Sequence, residues 1–267
     1  MTTTRDAAMH ANEQQWAAAL QRNHLAGAHL VRAGQVVLPA TPPADQPAAY
    51  RIQRAFQQSI GSRGGWKVGA ASPDAPPLRA PLPQPWIQHG RGRLSVDACW
   101  PGGLEAEIAF RVGKDLPLEQ GPYTREQVIA NLETAHATIE ILGTRQPAPD
   151  QVGPLAKLAD LLFNGCLIVG PGTPDWRGHT LADLAISVSV DGEPIIRQHG
   201  GNPAGDPLRL VHWLANHLDP ADGGLVAGDL ITTGSWIGVH LPSGPGTYRV
   251  ELAGIGDVEL VLTSHAD

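Results

Sequence analysis

The chain has 267 residues, of which 42% are hydrophobic and 17% charged, so it is long enough to bury a core and too apolar to be disordered. The formal net charge is −7 and no basic cluster offsets it, which argues against nucleic-acid binding. No apolar run is long enough to span a bilayer, and the first residues lack the charged and apolar regions of a signal peptide, so we expect a cytoplasmic protein without membrane contact.

The N-terminal part of the chain is predicted to be helical. Residues 12–32 are rich in Ala, Gln and Leu, and Asp45-Gln46-Pro47 is typical of the start of a second helix, because proline is tolerated in the first turn. A cluster of glycines from Gly61 onward ends this helix. Residues 71–91 contain six prolines, which indicates an ordered but irregular crossing segment.

Short strands are predicted from Cys99 onward, with two helices among them. Thr124 and Gln127 have the spacing of a capping box, and the apolar residues that follow recur at helical spacing, so this helix is predicted to reach Glu140. The second helix covers residues 208–218. Strands are predicted over residues 104–112, 166–169, 185–190, 229–233, 248–252 and 258–262. These elements indicate an α+β protein, with a helical N-terminal cap (1–75) on a β-rich domain (76–267).

Two glutamates share one face of the strand predicted over residues 104–112. The even positions there are all apolar, whereas the odd positions include Glu105, Glu107 and Arg111. Side chains alternate across a strand, so both glutamates are expected to project together while Leu104 and its apolar neighbours face the core. Two like charges this close repel each other unless one is protonated or a cation lies between them. A divalent metal ion would resolve the repulsion, and a solvated strand face is the alternative.

A third carboxylate would complete such a metal site, and Glu140 is the candidate. The eleven histidines form no His-x-His or HExxH pair, and Cys99 and Cys166 have no metal-site spacing, so zinc is disfavoured. Carboxylate oxygens suit Mg²⁺ or Mn²⁺, which keep waters that a substrate can replace and act as Lewis acids.

Two further segments are weaker candidates for a site. Lys67 lies between glycines in residues 65–69, where glycine often marks the close approach of a ligand, although a surface lysine on a strand is the simpler interpretation. Thr233, Gly234 and Ser235 follow a predicted strand, and they either present N–H groups and a hydroxyl to an anion or form an ordinary turn.

Several short motifs follow one another along the chain and together resemble a known family. They are Tyr50-x-Ile52-Gln53, Gly65-Trp66-Lys67-Val68-Gly69, Glu105-x-Glu107-Ile108-Ala109-Phe110, Lys114-Asp115-Leu116, Glu140-Ile141-Leu142-x-Thr144-Arg145, Ala227-Gly228-Asp229, Thr233-Gly234-Ser235 and Gly254-Ile255-Gly256-Asp257-Val258. In this order they resemble the 2-oxopent-4-enoate (2-keto-4-pentenoate) hydratase and 4-oxalocrotonate decarboxylase family, within the fumarylacetoacetate hydrolase superfamily.

The resemblance implies a mixed β-roll, like the C-terminal domain of fumarylacetoacetase, and a homo-oligomer built from dimers. It implies that Glu105, Glu107 and Glu140 hold Mg²⁺ or Mn²⁺, and that Thr233 and Gly234 hold the carboxylate of the substrate. The implied activity is that of a metal-dependent lyase, a hydratase, on a short 2-hydroxy-2,4-dienoate or 2-oxo-enoate acid in the catabolism of aromatic or related compounds.

Two residues are expected to take part in the chemistry. Lys67 would act as a general acid or base, or as a clamp for the substrate carboxylate, and burial beside a metal is expected to lower its pKa. Asp160 is a candidate for the second general base, with a structural turn-capping role as the alternative.

The chain departs from the family pattern around the substrate. An acidic residue and a serine usually precede the residue matching Arg145, and here those positions are Gly143 and Thr144. The family's Asn-x-Ser becomes Leu161-Leu162-Phe163, so an apolar pocket wall is expected, with Leu161, Phe163 and Arg145 binding the substrate. The segment after Gly69 is proline-rich where family members carry a longer, glycine-bearing one.

Three other functions remain open from the sequence. A decarboxylase of the 4-oxalocrotonate type would use the same metal site. Hydrolysis of the C–C bond of an acylpyruvate would need a histidine and an acidic residue over the metal, and residues 70–95 contain one histidine, His89, and no matching pair. A divergent paralogue would bind metal and ligand, or partner an active subunit, without turnover.

Overall fold

A computed structural model describes residues 9–264 of the chain. The N-terminal part begins with helices α1 (Ala11–Ala26) and α2 (Ala28–Arg32), which are separated at Gly27, where φ is +88°. The predicted helix over 12–32 is therefore two helices. Helix α3 (Gln46–Ile60) begins as predicted, because the side chain of Asp45 accepts a hydrogen bond of 2.8 Å from the Ala48 N–H.

Two mixed sheets make up most of the remaining protein, and three more helices lie between their strands. The helices are α4 (Arg125–Ala130), α5 (Pro154–Ala159) and α6 (Pro207–His217). The strands are β1 (Arg63–Gly69), β2 (Leu78–Pro83), β3 (Ile87–His89), β4 (Gly92–Ser95), β5 (Pro101–Val112), β6 (Leu132–Gly143), β7 (Asn164–Thr173), β8 (Ala185–Val190), β9 (Glu193–His199), β10 (Leu230–Thr232), β11 (Gly246–Leu252) and β12 (Gly256–Thr263).

The larger sheet has seven strands in the order β2-β1-β10-β5-β6-β7-β3, and the smaller has five in the order β4-β12-β11-β8-β9. Strands β11 and β12 contact the central strands of the larger sheet, and the main apolar cluster draws on both sheets. Leu104, Ile108 and Phe110 of β5 are fully buried in it, as the alternation predicted. The α+β fold class is thus confirmed.

A second apolar cluster joins the N-terminal helices to the larger sheet. Trp16 and Leu20 of α1 and Phe56 of α3 pack there with Ala80 of β2 and Leu161. The three helices α1, α3 and α5 therefore form one layer over the β2 end of the sheet. The division of the chain at residue 75 stays a prediction.

The helix predicted from Thr124 to Glu140 is wrong in its second half. The capping box is present, but the helix ends at Ala130, and residues 132–143 form strand β6. β6 is paired on both sides, by β5 and β7, and nearly all of its residues are buried. A strand buried on both faces shows no alternation of apolar and polar residues, so its apolar spacing imitated a helix.

The proline-rich segment is more regular than predicted. It contains β2 and β3 instead of an irregular crossing, and both lie at the edges of the larger sheet. Edge strands tolerate Pro81 and Pro83 because a missing N–H on the outer side breaks no ladder hydrogen bond.

The other predicted strands and the helix over 208–218 are confirmed to within three residues, except that β7 runs four residues further than predicted, and β4 and β9 were not predicted. Both cysteines are free. None of the helices described between residues 9 and 264 is long and apolar enough to cross a membrane.

We expect Gly65→Ala to lower the free energy of unfolding by about 3 kcal/mol, through backbone strain and a steric clash. Gly65 has φ +158°, and a Cβ there would lie 1.9 Å from the Leu230 carbonyl oxygen, across the parallel pairing of β1 and β10. Urea denaturation measures the change. Gly69→Ala in the same strand is the control, because no atom lies within 4 Å of its Cβ position, and equal losses in both variants would contradict the packing argument.

Candidate metal and substrate site

The three glutamates meet on neighbouring strands of the larger sheet. Glu105 and Glu107 are two residues apart on β5, and Glu140 on β6 lies directly opposite Glu105 in the register. Side chains two apart, or opposite each other on paired strands, point to the same face. One carboxylate oxygen from each residue lies within 4.8 Å of the others. The three side chains are therefore close enough to bind one metal ion.

The solvated-face alternative is wrong for this face of β5. Glu107 and Glu140 are 0% exposed, and the side chain of Glu105 is 16% exposed. Buried carboxylates are costly unless they are paired or bind a metal. Only Glu105 connects the cluster to solvent.

Each fully buried carboxylate has one oxygen held by the protein and one without a partner. The Gly234 N–H donates to Glu107 Oε2 at 2.9 Å, and Asn164 Nδ2 donates to Glu140 Oε1 at 3.1 Å. Glu107 Oε1 and Glu140 Oε2 are buried without a hydrogen-bond partner among the described residues. Unpaired buried oxygens of this kind are rare in proteins, so the donor set fits a hard cation.

Lys67 completes the cluster from strand β1. Its Nζ donates to Glu140 Oε1 at 2.6 Å and lies 3.7 Å from Glu105 Oε2, and the side chain is only 12% exposed. The surface-lysine interpretation is therefore wrong. Burial disfavours the ammonium, but Glu140, Glu105 and Glu107 outweigh it and raise the pKa of Lys67. The lowering expected from burial beside a metal stays a prediction.

The carboxylates also raise one another's pKa. Burial raises the pKa of Glu107 well above its ordinary value, and the charges of Glu140 and Glu105 raise it further. Burial likewise raises the pKa of Glu105, although Lys67 opposes the shift. One ammonium is thus insufficient to offset three carboxylates in this space, and a divalent cation would supply the missing positive charge.

A left-handed turn forms the wall beside Lys67. Leu161, Leu162 and Phe163 have φ angles of +53°, +51° and +64°. For residues with a Cβ this conformation costs about 1–2 kcal/mol each, and asparagine, which the family carries at the first position, tolerates it better. The turn aims the Leu162 carbonyl at Lys67, whose Nζ donates to it at 3.3 Å.

Asp160 and Arg145 hold this turn in place. Asp160 is fully buried and accepts hydrogen bonds from the Thr144 hydroxyl at 2.7 Å, from the backbone and Nε of Arg145, and from Gln146. Arg145 also donates to the carbonyls of Asp160 and Asn164, both at 2.8 Å. All these bonds tie the chain on both sides of the turn, so the contacts favour the structural role for Asp160.

The remaining predicted site residues are divided between the cluster and the core. The Thr233 hydroxyl donates to the Ile108 carbonyl at 2.9 Å, and Gly234 contacts Glu107 as described. Leu161 is fully buried among the N-terminal helices, and the Arg145 guanidinium lies over the rings of Phe56 and Trp86, so neither side chain is placed among the carboxylates. Their roles in substrate binding stay predictions.

Sequence reasoning missed two residues. Asn164 binds Glu140, and Lys157 lies with its Nζ 5.2 Å from the centre of the Phe163 ring. Asn164 escaped notice because the strand that it opens was predicted to start at Cys166. Lys157 belongs to no recognised sequence motif, and its contact with Phe163 depends on the left-handed turn that follows it.

Comparison with known proteins identifies the family of the chain. The chain is an α+β protein with a carboxylate cluster at the face of a mixed sheet. The model of the fumarylacetoacetate (FAA) hydrolase C-terminal family matches residues 73–262, and the chain belongs to that family.

Two curated relatives have named activities. The 2-keto-4-pentenoate hydratase of Burkholderia vietnamiensis is 27% identical over 235 residues, covering 83% of this chain and 88% of the relative. The 2-hydroxyhexa-2,4-dienoate hydratase of Comamonas testosteroni is 32% identical over 162 residues, covering 60% of this chain and 59% of the relative.

Two solved structures share the fold. The 4-oxalocrotonate decarboxylase from Pseudomonas putida G7, complexed with magnesium and adipate, has a TM-score of 0.73 at 20% identity and covers 96% of this chain and 100% of its own. The fumarylpyruvate hydrolase from Pseudomonas aeruginosa, in complex with Mn²⁺ and pyruvate, has a TM-score of 0.53 at 19% identity and covers 76% and 91%.

We expect Glu107→Gln to weaken Mn²⁺ binding by at least about 100-fold, because the unpaired Oε1 would be lost as an anionic ligand. The glutamine carbonyl still accepts from Gly234 and a like charge is removed, so the metal-free protein should be no less stable. Titration with Mn²⁺ by electron paramagnetic resonance measures the affinity. Glu133→Gln, at a glutamate 60% exposed on the same sheet, is the control, and unchanged affinity in Glu107→Gln would contradict the site.

We expect Asp160→Asn to lower the free energy of unfolding by about 3 kcal/mol, because it leaves Arg145 buried without its counter-ion. Urea denaturation measures this, with the exposed Asp150→Asn as the control. A stable Asp160→Asn protein that binds metal but has lost turnover would instead make Asp160 a general base.

Proposed function

We propose that this protein is a metal-dependent hydro-lyase that acts on a short 2-hydroxy-2,4-dienoate or 2-oxo-enoate acid. The observation that carries the proposal is the trio of Glu105, Glu107 and Glu140 with two unpaired buried oxygens, beside a buried lysine. The named activities of the hydratase relatives support the same substrate class. The role would lie in the catabolism of aromatic or related compounds.

The three glutamates would hold Mg²⁺ or Mn²⁺, with the unpaired oxygens of Glu107 and Glu140 among the ligands. When bound, the ion supplies a Lewis acid that stabilises negative charge on the 2-oxygen of the substrate. Gly234 and Asn164 orient the ligands by fixing the opposite oxygen of Glu107 and of Glu140. The magnesium and manganese complexes of proteins with this fold support the choice of ion.

Lys67 would move the proton. Its ammonium is held against Glu140 and the Leu162 carbonyl, so it stays at one place beside the bound acid and does not rotate freely. From there it would protonate the conjugated chain of the dienol as the 2-oxo form appears, and water would then add at the distal carbon. Thr233 and Gly234 would line the end of the site at which the substrate carboxylate lies.

Two rival reactions use the same carboxylates. Decarboxylation of a 4-oxalocrotonate-type acid would need a second carboxylate on the substrate, and the fold is shared with such an enzyme. Hydrolysis of an acylpyruvate would need a base over the metal, and His89, the one histidine in residues 70–95, is exposed on edge strand β3. The hydratase is therefore the better-supported proposal, and a homo-oligomer built from dimers in the cytoplasm is the expected form.

The purified protein is expected to consume 2-hydroxypenta-2,4-dienoate, seen as loss of the dienol absorbance, and to form 4-hydroxy-2-oxopentanoate. EDTA should abolish the reaction, and added Mg²⁺ or Mn²⁺ should restore it, because the carboxylates alone supply no Lewis acid. Release of pyruvate from a simple acylpyruvate would favour the hydrolase, and metal binding without turnover of any dienoate or 2-oxo acid would favour a paralogue without activity.

Lys67→Met should lower kcat by at least about 100-fold, as expected for loss of a general acid, while Mn²⁺ affinity changes by less than about tenfold. Initial rates and Mn²⁺ titration on the same preparation give the two values. Lys114→Met is the control, since Lys114 is exposed beyond the end of β5. The reverse pattern, with affinity lost and kcat retained, would make Lys67 a structural partner of Glu140.

A further inference from the structure

Lysine is rare in this chain and concentrated at the site. Only three of its 19 basic residues are lysines, namely Lys67, Lys114 and Lys157. Most basic residues of the chain are therefore arginines, yet two of the three lysines lie beside the turn over residues 161–163. Lys67 is bound by the carboxylates, and the mechanism proposed above gives no role to Lys157.

Lys157 contacts the last residue of that turn. Its Nζ is 5.2 Å from the centre of the Phe163 ring, while the carbonyl of the preceding residue, Leu162, accepts from Lys67. Phe163 is 5% exposed and Lys157 is exposed, so the apolar wall next to the cluster ends at a cation in contact with solvent. The ring contact holds the ammonium at this edge.

The structural roles that a lysine in the last turn of α5 would serve are already filled. The Ala156 carbonyl accepts from Gln146 and from the Asp160 N–H, and the Leu158 carbonyl accepts from Gln53. Lys157 forms no ion pair with any residue between 9 and 264. Its ammonium is therefore available to a ligand.

Lys157 also interacts electrostatically with the carboxylate cluster. Glu105, the one carboxylate with exposure to solvent, is also one whose charge acts on Lys157. Partial burial and the charge of Lys67 lower the pKa of Lys157, while Glu105 and Glu140 oppose the shift. The amine thus lies within electrostatic reach of the cluster without touching it.

We propose that Lys157 is a specificity-determining residue that binds a second carboxylate at the far end of the substrate. The inference rests on the proposed function, which places the 2-oxo acid end at Glu105, Glu107 and Glu140. The carbon chain would then run along the Phe163 ring, and its distal carboxylate would meet the ammonium. The favoured ligands are 2-oxo dicarboxylic acids, and Arg145 is not a rival cation because Asp160 holds it on the other side of the turn.

The test compares two acids of equal length that differ only at the far end, 2-oxohexanoate and 2-oxohexanedioate. Neither can be hydrated, so calorimetry on the Mn²⁺-loaded protein measures binding without turnover. Wild-type protein should bind the dicarboxylate at least about tenfold more tightly, and Lys157→Met should remove this preference while leaving 2-oxohexanoate affinity within about twofold. Lys157→Arg should restore most of the preference, and Lys114→Met should behave as wild type.

Each other result overturns the proposal. Equal binding of the two acids by the wild-type protein, or an equal loss for both in Lys157→Met, would make Lys157 a surface or structural residue. If neither acid binds, the proposed binding site for 2-oxo acids is wrong. Turnover of the dienol is measured separately, so selective binding without turnover would reject the hydro-lyase and retain the role of Lys157.

Discussion

Three carboxylates and one ammonium share a space that water hardly reaches, and the rest of the site is built around this constraint. Glu107 and Glu140 are completely buried, so each needs compensation that solvent does not provide. The protein supplies part of it, because Gly234, Asn164 and Lys67 each donate to one of these carboxylates. The two oxygens left without partners point to a cation as the remaining part. A sheet serves this purpose well, since paired strands fix the separation of side chains more firmly than loops do.

The N-terminal helices stabilise the turn over residues 161–163 through their contacts with Arg145. Arg145 is held by Asp160, lies over the rings of Phe56 and Trp86, and has its carbonyl bound by Asn23 of α1 at 3.0 Å. These contacts stabilise a left-handed conformation that residues 161–163 would not adopt by themselves. Removing α1 and α3 would therefore free the turn beside Lys67, although within residues 9–264 no residue of these two helices donates a hydrogen bond to the three carboxylates.

The departures from the family pattern concern the wall and not the metal ligands. Where the family pattern has Asn-x-Ser, this chain has Leu161-Leu162-Phe163. The two outer residues of this segment have different surroundings. Leu161 joins the core beneath the N-terminal helices, whereas Phe163 stays at the rim under Lys157. The three clustered glutamates are thus kept while the turn beside them is changed. Differences of this kind change the choice of substrate more easily than they change the reaction.

The amino-acid sequence by itself determined the pair of glutamates on β5, because alternation along a single strand is a local property. It also indicated the helix start at Asp45 and most strands of the smaller sheet, where one face is apolar and the other polar. It did not predict β6, since a strand buried on both faces has no alternation to detect, and Glu140 was therefore assigned to a helix. Only the tertiary structure placed Glu140 opposite Glu105, brought Lys67 to them from β1, and set Lys157 beside Phe163. These positions depend on strand pairing and on a turn stabilised by contacts distant in sequence, which no local pattern encodes.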